Sequence, residues 1–152
     1  MSDSPQVPAP YLRMPHVERS MAVGLFGGSF NPPHGGHLLV AETVLRKLGL
    51  DQLWWMVTPG NPLKDKHKLA DLAQRIRWSE ELLSDPRIKV TAFEAAKDLS
   101  YTAETLRYVK SRNLGVNFVW VMGADNLAGF HRWQDWQQHL PEYLEDSQLT
   151  YW

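Results

Sequence analysis

The sequence predicts an α/β fold: a Rossmann-like open parallel sheet with helices on both faces. Two observations carry this. Four apolar runs alternate with segments of helical period, which is the pattern of strands joined by crossover helices. The runs are continuously apolar instead of alternating, as strands buried on both faces require.

The elements follow in order. Residues 1–20 contain Pro5, Pro8, Pro10 and Pro15 and read as a flexible leader. Met21–Phe26 is the first strand, ending at Gly27-Gly28. His37–Leu48 has apolar residues at Leu38, Leu39, Ala41, Val44, Leu45 and Leu48, with Gly49 where a C-terminal glycine belongs. Leu53–Thr58 is the second strand, stopped by Pro59-Gly60. Leu69–Leu83 is a helix closed by Asp85-Pro86, with Arg75 and Arg77 expected on its exposed side. Ile88–Phe93 is the third strand. Thr102–Ser111 is a helix with Thr102 as its N-cap. Val116–Met122 is the fourth strand, stopped by Gly123.

Composition bounds the function. A chain of 152 residues makes one domain and buries about 68–70% of its unfolded surface. Lys plus Arg is 16 and Asp plus Glu is 17, a net charge of −1, which argues against a general nucleic-acid binder. With 0 Cys there is no disulfide, thiolate metal site or cysteine nucleophile. The 7 Trp are expected as core or pocket walls. Phe118–Ala124 is far shorter than the roughly 20 residues that span a bilayer, and the leader lacks the apolar centre of a signal peptide. A cytoplasmic protein with no membrane partner is expected.

The most informative stretch is Gly27-Gly28-Ser29-Phe30-Asn31-Pro32-Pro33-His34-Gly35-Gly36-His37. It joins the first strand to the first helix, where ligands bind in open α/β sheets. Gly27 and Gly28 let backbone N–H groups approach an anion. The helix start adds free N–H donors and the positive end of its dipole. His34 and His37 share a face of the first turn and can donate hydrogen bonds to charge developing on a phosphate. Neither G-x-G-x-x-G nor G-x-x-x-x-G-K-[ST] is present. Two histidines without a cysteine or a nearby acidic ligand make a poor zinc set; no protein-held metal is expected.

Gly27–His37 resembles the G-G-[ST]-F-[DN]-P-x-H-x-G-H signature of the nucleotidyltransferases that transfer a nucleoside monophosphate through an H-x-G-H motif. Phe118–Trp136 (FVWVMGADNLAGFHRWQDW) resembles a strand, G-x-D and later Trp of the bacterial nicotinate-nucleotide adenylyltransferases, and Ser100-Tyr101-Thr102 points to the same branch. The resemblance covers about Val23 to Trp136. It implies transfer of AMP from ATP to nicotinic acid mononucleotide, with Mg²⁺ accompanying ATP.

The resemblance also implies roles. His34 and His37 are the catalytic pair. Gly27, Gly28, Ser29 and Phe30 belong to the ATP-binding loop, and Gly123 and Asp125 to the adenosine ribose. Lys64, Tyr101, Thr102 and Trp133 belong to the mononucleotide side. Plainer readings stand beside these: Trp133 as a core anchor, Asp125 and Thr102 as helix caps, Lys64 in a solvated run with Lys66 and Lys68, and Glu104, Arg107 and Lys110 as a solvated helix face.

The family adds a fifth parallel strand and an [ST]-[ST]-x-x-[IV]-R motif. Leu140–Trp152 (LPEYLEDSQLTYW) has no such motif. The expectation is therefore a flexible leader at 1–20, a nucleotidyltransferase domain at 21–139 and a divergent tail at 140–152, with the family's last strand and helix missing by C-terminal truncation. An apolar fourth strand left at the edge would be covered either by the tail or by another chain, the latter giving a homo-oligomer. The alternatives are an inactive family member that only binds nucleotide, or a phosphopantetheine adenylyltransferase.

Overall fold

The computed structural model describes residues 7–59, 69–97, 99, 102–122 and 148–151. A 3₁₀ turn at Ala9–Leu12 precedes β1 (Ala22–Gly28), α1 (Gly35–Leu48), β2 (Gln52–Val57), α2 (Leu72–Leu82), β3 (Ile88–Thr91), α3 (Phe93–Ala96), α4 (Thr102–Arg112), β4 (Asn117–Met122) and β5 (Gln148–Tyr151). The sheet order is β3-β2-β1-β4-β5, and every pairing is parallel. The direction of winding reverses between β1 and β4, so a crevice opens beyond their carboxyl ends. The loop carrying His34 and His37 starts there.

Strand alternation divides the core into two layers. Phe26, Leu53, Trp55, Val57, Val119 and Val121 face one way and pack with Ala41, Val44 and Leu45 of α1 and Ile76 of α2. Val23, Leu25, Trp54, Met56, Phe118 and Trp120 face the other way, against Phe93 of α3 and Ala103, Leu106 and Val109 of α4. Trp54 and Trp55 are both fully buried, on opposite faces. α1 ends at Gly49, whose left-handed backbone (φ 61°) directs its N–H to the Leu45 carbonyl.

Three expectations need correction. Residues 7–20 are not a flexible leader. The Tyr11 carbonyl accepts the Ala92 N–H at 2.7 Å. The Arg13 carbonyl accepts the Thr91 hydroxyl at 3.1 Å, and the His16 carbonyl accepts from the Gln52 side chain at 3.1 Å. Val7 and Tyr11 pack on one core layer, Met14 and Val17 on the other. The prolines suggest an unstructured segment, but the Ala92 N–H after edge strand β3 and the Thr91 and Gln52 side chains need acceptors, and this segment's carbonyls supply them.

Secondly, the sheet does not stop at β4. Gln148–Tyr151 pairs with it in the register Val119↔Gln148 to Met122↔Tyr151. The tail lacks the family's motif yet retains residues with strand preference. The β4 edge is therefore covered by the tail, one of the alternatives the sequence leaves open. Thirdly, Phe93 starts α3 instead of ending β3 and is buried in the second layer.

Candidate active site

β1 delivers the loop. Gly27 and Gly28 pair with Met56 and Val57 of β2, and the Gly28 carbonyl accepts the Thr58 N–H at 3.0 Å. The chain then turns through Phe30, a non-glycine residue at φ 47°. That strained backbone is over-determined by packing. The Phe30 ring is 2% exposed and stacks on Trp55 at 4.2 Å and 18°, with Phe26 edge-on at 5.6 Å. Phe30 is thus core to the loop, not a surface for nucleotide. His37 lies beside this stack, its ring 5.0 Å from that of Phe30 and at 79° to it.

His34 is the N-cap of α1, in extended backbone. Its Nδ1 accepts the Gly36 N–H at 3.1 Å. In return the His34 N–H donates to Nδ1 of His37 at 3.1 Å. This reciprocal arrangement is a capping box built from two imidazoles. The rings stack at 3.8 Å and 25°. Because each Nδ1 accepts, the hydrogen-bond network assigns the proton of each neutral ring to Nε2. The helix start is thereby tied to two Nε2–H donors. His34 is exposed and His37 half-buried, so one ring is anchored and the other meets solvent.

The glycine between them has a steric reason. A Cβ on Gly36 would lie 2.9 Å from Cε1 and 3.0 Å from Nδ1 of His34, whereas one on Gly35 would meet nothing within 4 Å.

Arg75 departs most from the sequence reading. It is 2% exposed, not a surface residue. Its Nε donates to the Ala70 carbonyl at 2.9 Å, and its Nη1 donates to the Ser29 carbonyl at 2.9 Å and the Thr58 carbonyl at 2.6 Å. Burial pulls its pKa below the ordinary guanidinium value, opposed by the neighbouring Asp71 carboxylate. The signal was present: Arg75 stands three residues after Leu72 and four before Ser79, within the inward stripe of α2. Arg77, by contrast, is exposed as expected. Asn31 adds a second tie, its Oδ1 accepting the Ala70 N–H at 3.0 Å.

Glu94 on α3 carries no mark in the sequence that sets it apart. It is 8% exposed. Its Oε2 accepts the Thr105 hydroxyl at 2.6 Å, and its buried Oε1 has no partner among the described residues. Burial pushes its pKa up to about 7, with the Thr105 bond opposing.

Gly27, Gly28, Ser29, Phe30, His34 and His37 are brought together around the helix start. Thr102 is the first residue of α4. Lys64, Tyr101, Gly123, Asp125 and Trp133 lie outside the described residues. Among the described residues, no three His, Cys, Asp or Glu side chains cluster to hold a metal. No helix among them is long and apolar enough to cross a membrane.

The cytidylyltransferase-like family model matches residues 25–148, from the first strand to the start of the last. The chain belongs to the cytidylyltransferase-like family. Within it, the chain is 69% identical over 137 residues to a protein of Brucella suis named "Probable nicotinate-nucleotide adenylyltransferase", covering 86% of this chain and 71% of that one. Relatives of the same name from Mesorhizobium japonicum and Rhizobium meliloti are 66% and 71% identical, covering 82% and 78% of this chain. The chain spans 64% and 63% of the length of these two. The fold resembles that of Plasmodium falciparum nicotinic acid mononucleotide adenylyltransferase in complex with NaAD, with a TM-score of 0.70 at 15% identity over 87% of this chain and 73% of that one.

Proposed function

We propose that the chain is an adenylyltransferase that moves AMP from ATP to nicotinic acid mononucleotide, giving nicotinic acid adenine dinucleotide and pyrophosphate in NAD biosynthesis. The observation that carries this reading is the reciprocal His34–His37 cap, which sets two imidazole donors at a helix start beyond the Gly27-Gly28 strand end. High identity to relatives named for this reaction supports the choice of substrates.

A phosphate oxygen of the mononucleotide is the nucleophile. It is anionic near neutral pH and needs no general base. It forms a bond to the α-phosphorus of ATP, the bond from that phosphorus to the bridging oxygen breaks, and the electron pair leaves with pyrophosphate. The task for the protein is to bring two anions together and stabilise the charge of the transition state. His37 and His34 donate through Nε2–H to the phosphates, His37 to the α-phosphate. The Gly27–Ser29 main chain and the α1 start cradle the polyphosphate. Mg²⁺ accompanying ATP would offset part of the triphosphate charge, with no ligand required from the protein. The ribose contact is assigned to Gly123 and Asp125, and the mononucleotide contacts to Lys64, Tyr101, Thr102 and Trp133. The reaction runs in the cytoplasm, with no nucleic acid or membrane involved.

The test is pyrophosphate release by the purified chain with ATP, Mg²⁺ and nicotinic acid mononucleotide, beside the His37→Ala variant. Release that the variant loses supports the assignment. ATP binding without release refutes it in favour of a nucleotide-binding protein. Release only when phosphopantetheine replaces the mononucleotide transfers the reading to that substrate.

A further inference from the structure

We propose that Arg75 is a positioning residue for polyphosphate binding, fixing the phosphate loop at Ser29 against the end of β2 and the start of α2. The inference rests on reading the Gly27–His37 loop as the phosphate site.

The three carbonyls that Arg75 engages belong to three separate segments. Ser29 follows β1, Thr58 follows β2 and Ala70 precedes α2. All lie at the carboxyl-end side of the sheet or in the connection leaving it. A guanidinium is rigid and planar, with five donors in fixed directions, so it can hold several acceptors in one relative geometry. Burying such a cation is costly. Its contacts on the described residues are main-chain carbonyls, while Asp71 influences its charge only at a distance. The arrangement therefore fixes backbone positions instead of forming an ion pair.

α2 itself is held firmly. The Trp55 indole N–H donates to the Ser79 hydroxyl at 3.0 Å, and that hydroxyl donates to the Arg75 carbonyl at 2.9 Å. Trp55 also underlies Phe30. The loop is thus fastened at Ser29 by Arg75, at Asn31 by the Ala70 N–H, and at Phe30 by the aromatic stack. Of these, only the Arg75 contact reaches Ser29, the last residue of the proposed Gly27–Ser29 cradle. Loss of the fork frees the Ser29 carbonyl, and the cradle loses its set geometry. Small displacements of a positioned group carry large losses in such sites.

The experiment compares the unaltered chain with Arg75→Lys and Arg75→Met. Inorganic tripolyphosphate is titrated calorimetrically, and backbone amide exchange is followed residue by residue. Lysine keeps the charge and loses the fork, so both variants should bind tripolyphosphate about tenfold or more weakly. Amide exchange should quicken at Ser29–Asn31 while α4 keeps its protection. Unchanged affinity in Arg75→Lys overturns the proposal, as does quickening spread evenly over α1, α2 and α4, which marks a purely structural residue. Should Arg75→Met not fold, Arg75→Lys decides alone. If the unaltered chain fails to bind tripolyphosphate, the phosphate-site reading falls and the positioning role with it. That result is read without any variant and is distinct from failure of Arg75 alone.

Discussion

The imidazoles of His34 and His37 lie face to face, 3.8 Å apart, and the His34 N–H donates to Nδ1 of His37. The pair therefore does two things at once. It closes the first turn of α1, and it commits the remaining ring proton of each neutral residue to Nε2. On the proposed chemistry, His37→Ala removes a donor whose value is realised in the transition state. Pyrophosphate release should fall on the order of 10²–10³-fold, with far-ultraviolet circular dichroism unchanged. His34→Ala should in addition lose about 0.5–2 kcal/mol of stability, the ordinary cost of an N-cap, seen as a lower urea midpoint. Equal activity in His37→Ala would remove it from the mechanism.

The two glycines between the histidines should respond oppositely. Gly35→Ala meets open space and adds a better helix former, so stability should hold or rise by up to about 1 kcal/mol. Gly36→Ala places a methyl group 2.9 Å from the His34 ring. The ring must move, breaking the bond from the Gly36 N–H. Activity should fall at least about tenfold in this variant and stay near that of the unaltered chain in Gly35→Ala. A paired turnover assay with urea titrations checks both.

That difference also shows where sequence reading reaches its limit. The four main strands, the three longer helices and the glycine-rich turn between β1 and α1 were legible because each rests on local pattern: continuous apolar runs, helical period and glycine punctuation. What the pattern hides is the partner. Arg75 reads as solvated because arginine usually is; its three carbonyl acceptors come from loops 5, 17 and 46 residues away. Phe30 reads as part of a binding loop, yet its ring turns inward to Trp55, 25 residues on in the chain. The docking of 7–20 rests on contacts with Thr91, Ala92, Gln52 and the core, and the pairing of 148–151 on the β4 backbone; both partners lie far along the chain and leave no mark on local side-chain periodicity.

Phe30→Ala tests the aromatic support beneath His37. Removing a ring that is 2% exposed and stacked on Trp55 should cost about 3–5 kcal/mol. The remaining alanine also keeps a left-handed backbone, φ 47°, that disfavours any side chain. If Phe30 served chiefly as a nucleotide contact, stability would change little and ATP affinity would drop. Urea unfolding and ATP titration on the same samples separate the two outcomes.

Glu94 gives the protein a pH dependence whose sign is fixed by burial. Its carboxyl titrates at 4.5 in the reference state and at about 7 when folded. Below about pH 4.5 both states hold the proton. Between 4.5 and 7 the folded state keeps a proton that the unfolded state releases, so stability falls as pH rises through this window. Above about pH 7 the loss is complete, because folding must then bury a carboxylate whose Oε1 has no partner among the described residues. Glu94→Gln never ionises and can still accept the Thr105 hydroxyl. The variant should be more stable than the unaltered chain above pH 7, by about 1–3 kcal/mol, and should show a shallower fall between pH 5 and 7. Urea midpoints at pH 5, 6, 7 and 8 for both proteins give the two slopes. Parallel profiles would mean that Glu94 ionises in the folded state as readily as in the unfolded one, and that the Thr105 bond alone supports the buried charge.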